Sequence, residues 1–256
     1  MVGTGAEADE RSREFRSYWR EVHRQEGQGS CLVYSTGRTI SQYEELRREK
    51  GGEVLADPEL LVCAVGTRIY ERGRGTWTER EDWTSKLDQD WSASKVRRVA
   101  DDCIAKFGQD NVHLRPPHEL NEHKITLGIR EHLVRSASDW MSSSFRELQV
   151  KAKLVSSGSG EWRYLDILSR GSGKKEALEF IRRALKFSHD NTVACGDSGN
   201  DLDMIQGDSL AVIVGNAQPD LLDWYEKNGR NNERVYYAKE STAGGILEGL
   251  QHFGLF

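Results

Sequence analysis

The run Val193-Ala194-Cys195, followed at once by Gly196-Asp197-Ser198-Gly199-Asn200-Asp201, constrains this chain more than any other segment. A short apolar run bounded by turn residues reads as a buried strand. Here the strand, Thr192 to Cys195, delivers two carboxylates and an amide into a glycine-rich loop, and a second apolar run, Leu210 to Val214, precedes a helix that begins after Pro219. Upstream the pattern recurs. Ser30 to Ser35 reads as a strand that runs into Thr36-Gly37-Arg38, a helix spans Ser41 to Lys50 and stops at Gly51-Gly52, and Leu60 to Val65 is another strand ending at Gly66-Thr67. Strand-loop-helix units in succession predict an α/β fold with a mainly parallel sheet. Such sheets bind ligands beyond the carboxyl ends of their strands, so Asp197, Asn200 and Asp201 are expected to converge on one pocket.

Between about Trp77 and Tyr164 the pattern changes: strand-like segments at Lys124 to Ile129 and Val150 to Ser156 flank helical stretches at Ser92 to Phe107 and Leu133 to Phe145. This predicts a small α+β insert, with core at 1–76, insert at 77–164 and returning core at 165–256. The returning core begins with a helix from Gly173 to Lys186. Ahead of everything lies an amphipathic helix from Glu10 to Gln25, with Phe15, Tyr18, Trp19 and Val22 at helical spacing.

Composition excludes several classes. A net charge of -5 provides no excess positive field for nucleic acid. The basic pairs Arg97-Arg98 and Arg182-Arg183 read as solvated helix faces. No stretch approaches the ~18 apolar residues of a membrane span, and the first thirty residues carry no secretory or transit pattern. Cys31, Cys63, Cys103 and Cys195 form no CxxC pair, which predicts reduced thiols and a cytoplasmic location.

Three segments carry chemistry. Hard cations such as Mg2+ take carboxylate oxygens and water, which makes Asp197 a candidate direct ligand and Asp201 a second carboxylate that binds or orients the metal's water. Taken alone, Gly-Asp-Ser-Gly is more often an Asx-rich turn without a ligand. Ser35-Thr36-Gly37-Arg38, at a strand's end and ahead of a helix, offers hydroxyls and backbone N–H groups for phosphate, although a helix cap uses the same residue types. Lys174 opens a helix after Gly171-Ser172-Gly173, a place that the helix dipole disfavours and a nearby phosphate would favour. The segment is not a Walker A loop, because Leu168 stands where that motif needs glycine.

In the order cradle, insert, lysine and acidic loop, these segments resemble the haloacid-dehalogenase-like phosphatases. Within that group, Tyr34 to Arg38, Ala64-Val65-Gly66-Thr67, His123-Lys124, Leu165-Asp166-Ile167-Leu168, Gly171 with Gly173-Lys174, Ala194 to Asp201, and Asn216-Ala217-Gln218 with Leu221-Leu222 and Trp224 are similar to the sucrose-phosphatases of plants and cyanobacteria. The resemblance implies a Rossmann-like α/β core with a C2-type α+β cap, and Mg2+-dependent hydrolysis of sucrose 6-phosphate. It further implies that Thr36, with Ser35, Gly37 and Arg38, holds the phosphate, that Lys174 stabilises the charged intermediate, and that Asp197 and Asp201 serve the metal. Asn200 would orient the site, His123 and Lys124 would reach the sugar, and Asn216 would border the pocket. For His123 a purely structural role is an equal expectation. Sucrose-phosphate synthase is the partner implied.

These phosphatases attack phosphate with the first aspartate of an Asp-x-Asp-x-Thr strand. This sequence has no such motif, and Met1-Val2-Gly3-Thr4-Gly5 resembles the stretch that follows it. The chain is therefore expected to begin after the first core strand. It then either belongs to a longer enzyme or is a catalytically silent sugar-phosphate-binding or regulatory module.

Overall fold

The computed structural model describes residues 3–26, 29–73, 75–89 and 91–255. In chain order they form α1 (Ala6–Glu26), β1 (Val33–Ser35), α2 (Ile40–Lys50), β2 (Leu60–Cys63), β3 (Arg68–Arg72), β4 (Trp77–Glu79), α3 (Glu81–Leu87), α4 (Ala93–Phe107), β5 (Val112–Leu114), β6 (Lys124–Arg130) and α5 (Val134–Glu147). They continue with β7 (Ala152–Ser157), β8 (Trp162–Ser169), α6 (Lys174–Ala184), β9 (Val193–Gly196), α7 (Leu202–Ile205), β10 (Leu210–Ile213), α8 (Pro219–Trp224), β11 (Val235–Tyr237) and α9 (Thr242–His252). The chain divides into two compact units: unit 1 comprises Met1–Tyr34, Ile40–Leu61 and Leu178–Phe256, and unit 2 comprises Ser35–Thr39 and Val62–Ala177.

Unit 1 contains a parallel sheet in the order β11-β10-β9, with Ala211 opposite Val235 and Val212 opposite Cys195. The central strand β10 is apolar throughout because both faces are covered. Ala211 and Ile213 pack with Ala194, Ile205 and Leu221, while Val212 and Val214 pack with Ala238 and the α9 residue Ile246. The stripe predicted on α1 is used as expected: Phe15, Tyr18 and Trp19 pack with Ala243, Ile246, Leu247 and Leu250 of α9.

Unit 2 contains an antiparallel sheet in the order β5-β6-β8-β7. Alternation along β6 sends Ile125, Leu127 and Ile129 to one face, where α4 and α5 cover them. Val96, Val99, Ala100 and Cys103 of α4, and Ala137, Met141 and Phe145 of α5, recur at helical spacing and are buried there. β3 and β4 pair antiparallel and end a four-stranded sheet of order β1-β2-β3-β4.

Two local expectations change. The strand begun at Leu60 stops at Cys63, because Ala64, Val65 and Gly66 all have positive φ, and β3 follows. Arg183 is a solvated residue, but Arg182 is not: it donates to both Glu179 oxygens and to the Phe187 carbonyl, and its side chain is 12% exposed. Arg97 and Arg98 are exposed and face Asp101 and Asp102 one turn away. All four cysteines are free thiols. Among the described residues no helix is long and apolar enough to cross a membrane.

Candidate active site

In unit 1, β9 ends at Gly196 and the chain turns through Asp197-Ser198 into a short 3-10 turn, Gly199–Asp201. The turn is closed by Asp201. Its Oδ2 accepts hydrogen bonds from the Asp197 N–H (3.1 Å), the Ser198 N–H (3.1 Å) and the Ser198 hydroxyl (3.2 Å), a reciprocal capping box. Gly196 makes room for this carboxylate, since a Cβ there would lie 2.6 Å from the Asp201 Cβ. The Ser198 hydroxyl also meets Asn200 Oδ1 at 2.9 Å. Beside the turn, the Asp197 carbonyl accepts from the Gln218 N–H (2.7 Å), which brings the Asn216-Ala217-Gln218 segment alongside. Asn216 uses its Oδ1 to accept from the N–H of Thr242, the first residue of α9 (2.8 Å).

Asp201 is therefore 4% exposed and engaged in holding the turn, whereas the Asp197 carboxylate accepts no hydrogen bond and joins no ion pair among the described residues. That donor set fits a hard divalent cation, which commonly takes only one or two protein carboxylates and keeps several waters. No cluster of three or more His, Cys, Asp or Glu side chains exists among the described residues. Cys195, on the strand behind the turn, is pushed up to about 12 by burial, with the Asp201 charge adding to the effect, and stays a neutral thiol.

In unit 2 the Ser35 to Arg38 segment is fixed by backbone bonds. The Thr36 N–H donates to the Val62 carbonyl (2.8 Å), the Val65 N–H donates to the Thr36 carbonyl (3.1 Å), and the Ala64 N–H donates to the Arg38 carbonyl (2.8 Å). Thr36 Oγ1 accepts from the Arg38 N–H (3.1 Å), which orients the hydroxyl and leaves its hydrogen to donate. The amides of Thr36 and Arg38 are thus occupied within the loop. The Ser35 hydroxyl is buried without a protein partner among the described residues. Arg38 is exposed.

Lys174 is joined to this segment through glycine. Gly66 and Gly173 both have positive φ, at 85° and 130°, and their backbones approach so closely that a Cβ on Gly66 would collide with the Gly173 carbonyl. This contact sets the start of α6, where Lys174 is 7% exposed. Ala64 (φ 50°) and Val65 (φ 58°) hold the left-handed turn, which is costly for a β-branched residue and is a form of strain concentrated at functional sites. Sequence reasoning missed this corner. It also missed the role of Asp201, although Ser198-x-x-Asp201 has the spacing of a capping box.

His123 and Lys124, at the start of β6, have partners of their own. His123 is 2% exposed, with Nε2 2.7 Å from Asp88 Oδ1, and Lys124 donates to the Glu119 carbonyl (3.0 Å) and faces Asp166 at 3.5 Å.

Residues 1–254 match the family described as sucrose-6F-phosphate phosphohydrolase. The chain is 33% identical over 245 residues to a protein named "Probable sucrose-phosphatase 2" of Arabidopsis thaliana, an alignment covering 94% of this chain and 54% of that protein. It thus spans about half the length of the curated relatives it matches. The sucrose-phosphatase of Synechocystis, solved with sucrose and phosphate, superposes with a TM-score of 0.82 at 27% identity, covering 98% of this chain and 93% of that one. A haloacid dehalogenase-like hydrolase of Bacillus subtilis superposes at 0.67 with 16% identity, covering 100% and 88%. The fold is that of the haloacid-dehalogenase-like proteins.

Proposed function

Because the chain belongs to the sucrose-6F-phosphate phosphohydrolase family, we propose that it serves hydrolysis of a sugar phosphate, sucrose 6-phosphate first and another disaccharide or small sugar phosphate second. The observation that carries this reading is the Asp197-to-Asp201 turn, in which one carboxylate is consumed in fixing the backbone and the other is left without a protein partner among the described residues. Asp197 holds a divalent cation, Mg2+ in this reading, and Asp201 supports it by holding the turn. Bound there, the cation supplies neutralisation of the phosphoryl oxygens. Asn200 orients the turn. Thr36 donates its hydroxyl to a phosphoryl oxygen, Ser35, Gly37 and Arg38 complete that contact, and Lys174 stabilises charge on the transferring group. His123 and Lys124 belong to the sugar end, and Asn216 borders the pocket by fixing the loop beside Asp197.

The nucleophile of this chemistry is the first aspartate of an Asp-x-Asp-x-Thr strand, which forms an aspartyl phosphate that water then cleaves. The given sequence carries no such motif. Asp9, an early carboxylate, lies within α1 and pairs with Lys50 at 2.7 Å. That pairing favours a second reading, in which the chain binds a sugar phosphate without turning it over. Free thiols at all four cysteines suit a cytoplasmic protein, and sucrose-phosphate synthase, as the source of the substrate, is the partner this reading implies.

The test is phosphate release from sucrose 6-phosphate, with and without Mg2+, by this chain and by the same chain preceded by an Asp-x-Asp-x-Thr strand. Magnesium-dependent release by the extended protein supports the phosphatase reading. Binding without release by both supports the silent module, and neither binding nor release overturns the sugar-phosphate reading.

A further inference from the structure

Between the Thr36 loop and the start of β6, a continuous line of hydrogen bonds runs within unit 2. At its centre is the left-handed turn of Ala64, Val65 and Gly66. On one side of that turn the Ala64 and Val65 amides hold the Arg38 and Thr36 carbonyls. On the other side the Ala64 carbonyl accepts from the Thr67 hydroxyl at 2.9 Å. Thr67 is 0% exposed, and its Oγ1 in turn accepts from Asn121 Nδ2 at 2.9 Å. The oxygen of the same amide, Asn121 Oδ1, accepts from the His123 N–H at 2.9 Å, and the Asn121 and Lys124 backbones exchange two further bonds of 3.0 and 3.2 Å.

Each link has a fixed direction. A hydroxyl carries one hydrogen, so Thr67, which donates it to the Ala64 carbonyl, can only accept from its other partner. Asn121 must therefore turn its NH2 group to Thr67 and its oxygen to His123, and reversing the amide would break both bonds. What the line holds is a strained element. Positive φ at Ala64 and at the β-branched Val65 persists only where the surrounding structure over-determines it. Beside the Gly66–Gly173 contact, the determining bonds come from two directions, from the loop that carries Thr36 and from Asn121 through Thr67. Such a turn has two arrangements, held left-handed or relaxed. A ligand that tightens one set of bonds favours the arrangement on which the other set depends.

We infer that Asn121 and Thr67 couple the two ends of the substrate's site. A sugar seated at His123 and Lys124 steadies Asn121, Asn121 fixes the Thr67 hydroxyl, and the left-handed turn then holds the Thr36 loop in the shape that grips phosphate. Both are positioning residues: they touch neither the sugar nor the phosphate and act through the turn. The inference rests on the sugar-phosphate reading and adds to it a means by which phosphate carried on a sugar is held better than phosphate alone. Linkage makes the effect reciprocal, so phosphate tightens the sugar by the factor with which the sugar tightens phosphate.

Calorimetry on the whole chain with Mg2+ tests it, with sucrose titrated in the absence and in the presence of saturating inorganic phosphate, and phosphate titrated likewise against sucrose. In the unaltered chain each ligand is expected to tighten the other about 5-fold or more. Asn121→Asp keeps the acceptor for the His123 N–H but offers Thr67 no donor, and Thr67→Val removes the hydroxyl. In both, the factor is expected to fall to about 1, whatever happens to either affinity alone. Thr67→Ser keeps the hydroxyl and is expected to keep the factor. Asn121 is partly exposed, so Asn121→Asp can be read even where Thr67→Val fails to fold. A factor unchanged in Asn121→Asp, or lost in Thr67→Ser as fully as in Thr67→Val, would overturn the relay. Sucrose and phosphate bound independently by the unaltered chain would overturn it too and leave the sugar-phosphate reading standing. One probe bound without the other would overturn the relay together with the end of the site that failed, and binding of neither would overturn the sugar-phosphate reading itself.

Discussion

The Asp197-to-Asp201 turn of unit 1 and the Thr36, Gly66 and Gly173 corner of unit 2 are built by opposite means. In the first, one charged oxygen gathers three donors, so the backbone follows a side chain. In the second, two glycine backbones touch and three consecutive residues take positive φ, so the side chains follow the backbone. A turn held by a carboxylate fails in proportion to the charge removed. A corner held by exclusion fails as soon as a single carbon is added.

The sharpest way to break the contrast is Gly66→Ala. The new methyl meets the Gly173 carbonyl, and φ of 85° penalises it further, so a loss of about 3 kcal/mol or more, or failure to fold, is expected in urea denaturation. A variant with unchanged midpoint would show that the corner yields. Next comes Asp201→Asn, which keeps the shape and removes the charge. It should cost about 1–3 kcal/mol by the same measurement, with the fold retained. Smaller and of opposite direction is Ala64→Gly at φ 50°, where relief of left-handed strain opposes the loss of a buried methyl. Its stability should stay within about 1 kcal/mol of the parent or exceed it, and a larger loss would mean that the turn is unstrained.

The finest distinction is chemical. Cys195 behind the acidic turn and Cys63 beside the glycine corner are both raised to about 12 by burial, so both should resist alkylation at pH 8 in the native protein and react once it is unfolded. The sign follows from proton binding. Above the ordinary thiol value of 9.0 the unfolded chain releases protons that the folded one retains, so these groups favour folding below that pH and the benefit falls as pH rises toward 12. Rapid labelling of Cys195 at pH 8 would mean that the strand opens locally.

What could be read from the sequence were features expressed within a few neighbouring residues. The spacing of Val96, Val99, Ala100 and Cys103 marks a helix face, and the unbroken apolar run of β10 marks a strand covered on both sides. Ser198 and Asp201, three apart, carry a cap that their spacing could have revealed. What escaped depends on distant partners or on backbone sign. Nothing in Ala64 or Val65 announces a left-handed turn, because neither residue favours one; their bonds to the Arg38 and Thr36 carbonyls and the Gly66–Gly173 contact hold it in place. Arg182 reads as a surface cation until the chain beyond its helix returns the Phe187 carbonyl to it. Asp166 stands 40 residues from Thr126, and its burial beside Lys124 follows from sheet pairing alone.

The division into units carries a consequence for the order in which the protein is made. Apart from its five-residue piece at 35–39, unit 2 is one continuous stretch, and synthesis completes it at Ala177. Unit 1 is assembled from stretches that precede and follow the main stretch of unit 2. Helix α1 precedes unit 2 with Phe15, Tyr18 and Trp19 on its apolar stripe, and its cover on α9 is made only after unit 2, the Tyr18 hydroxyl meeting the Leu255 carbonyl 237 residues later. At translation speeds of about 5–20 residues per second, that apolar stripe waits on the order of ten seconds or longer. During this interval the newborn chain carries an apolar stripe without its α9 cover, the kind of surface that favours aggregation or chaperone capture.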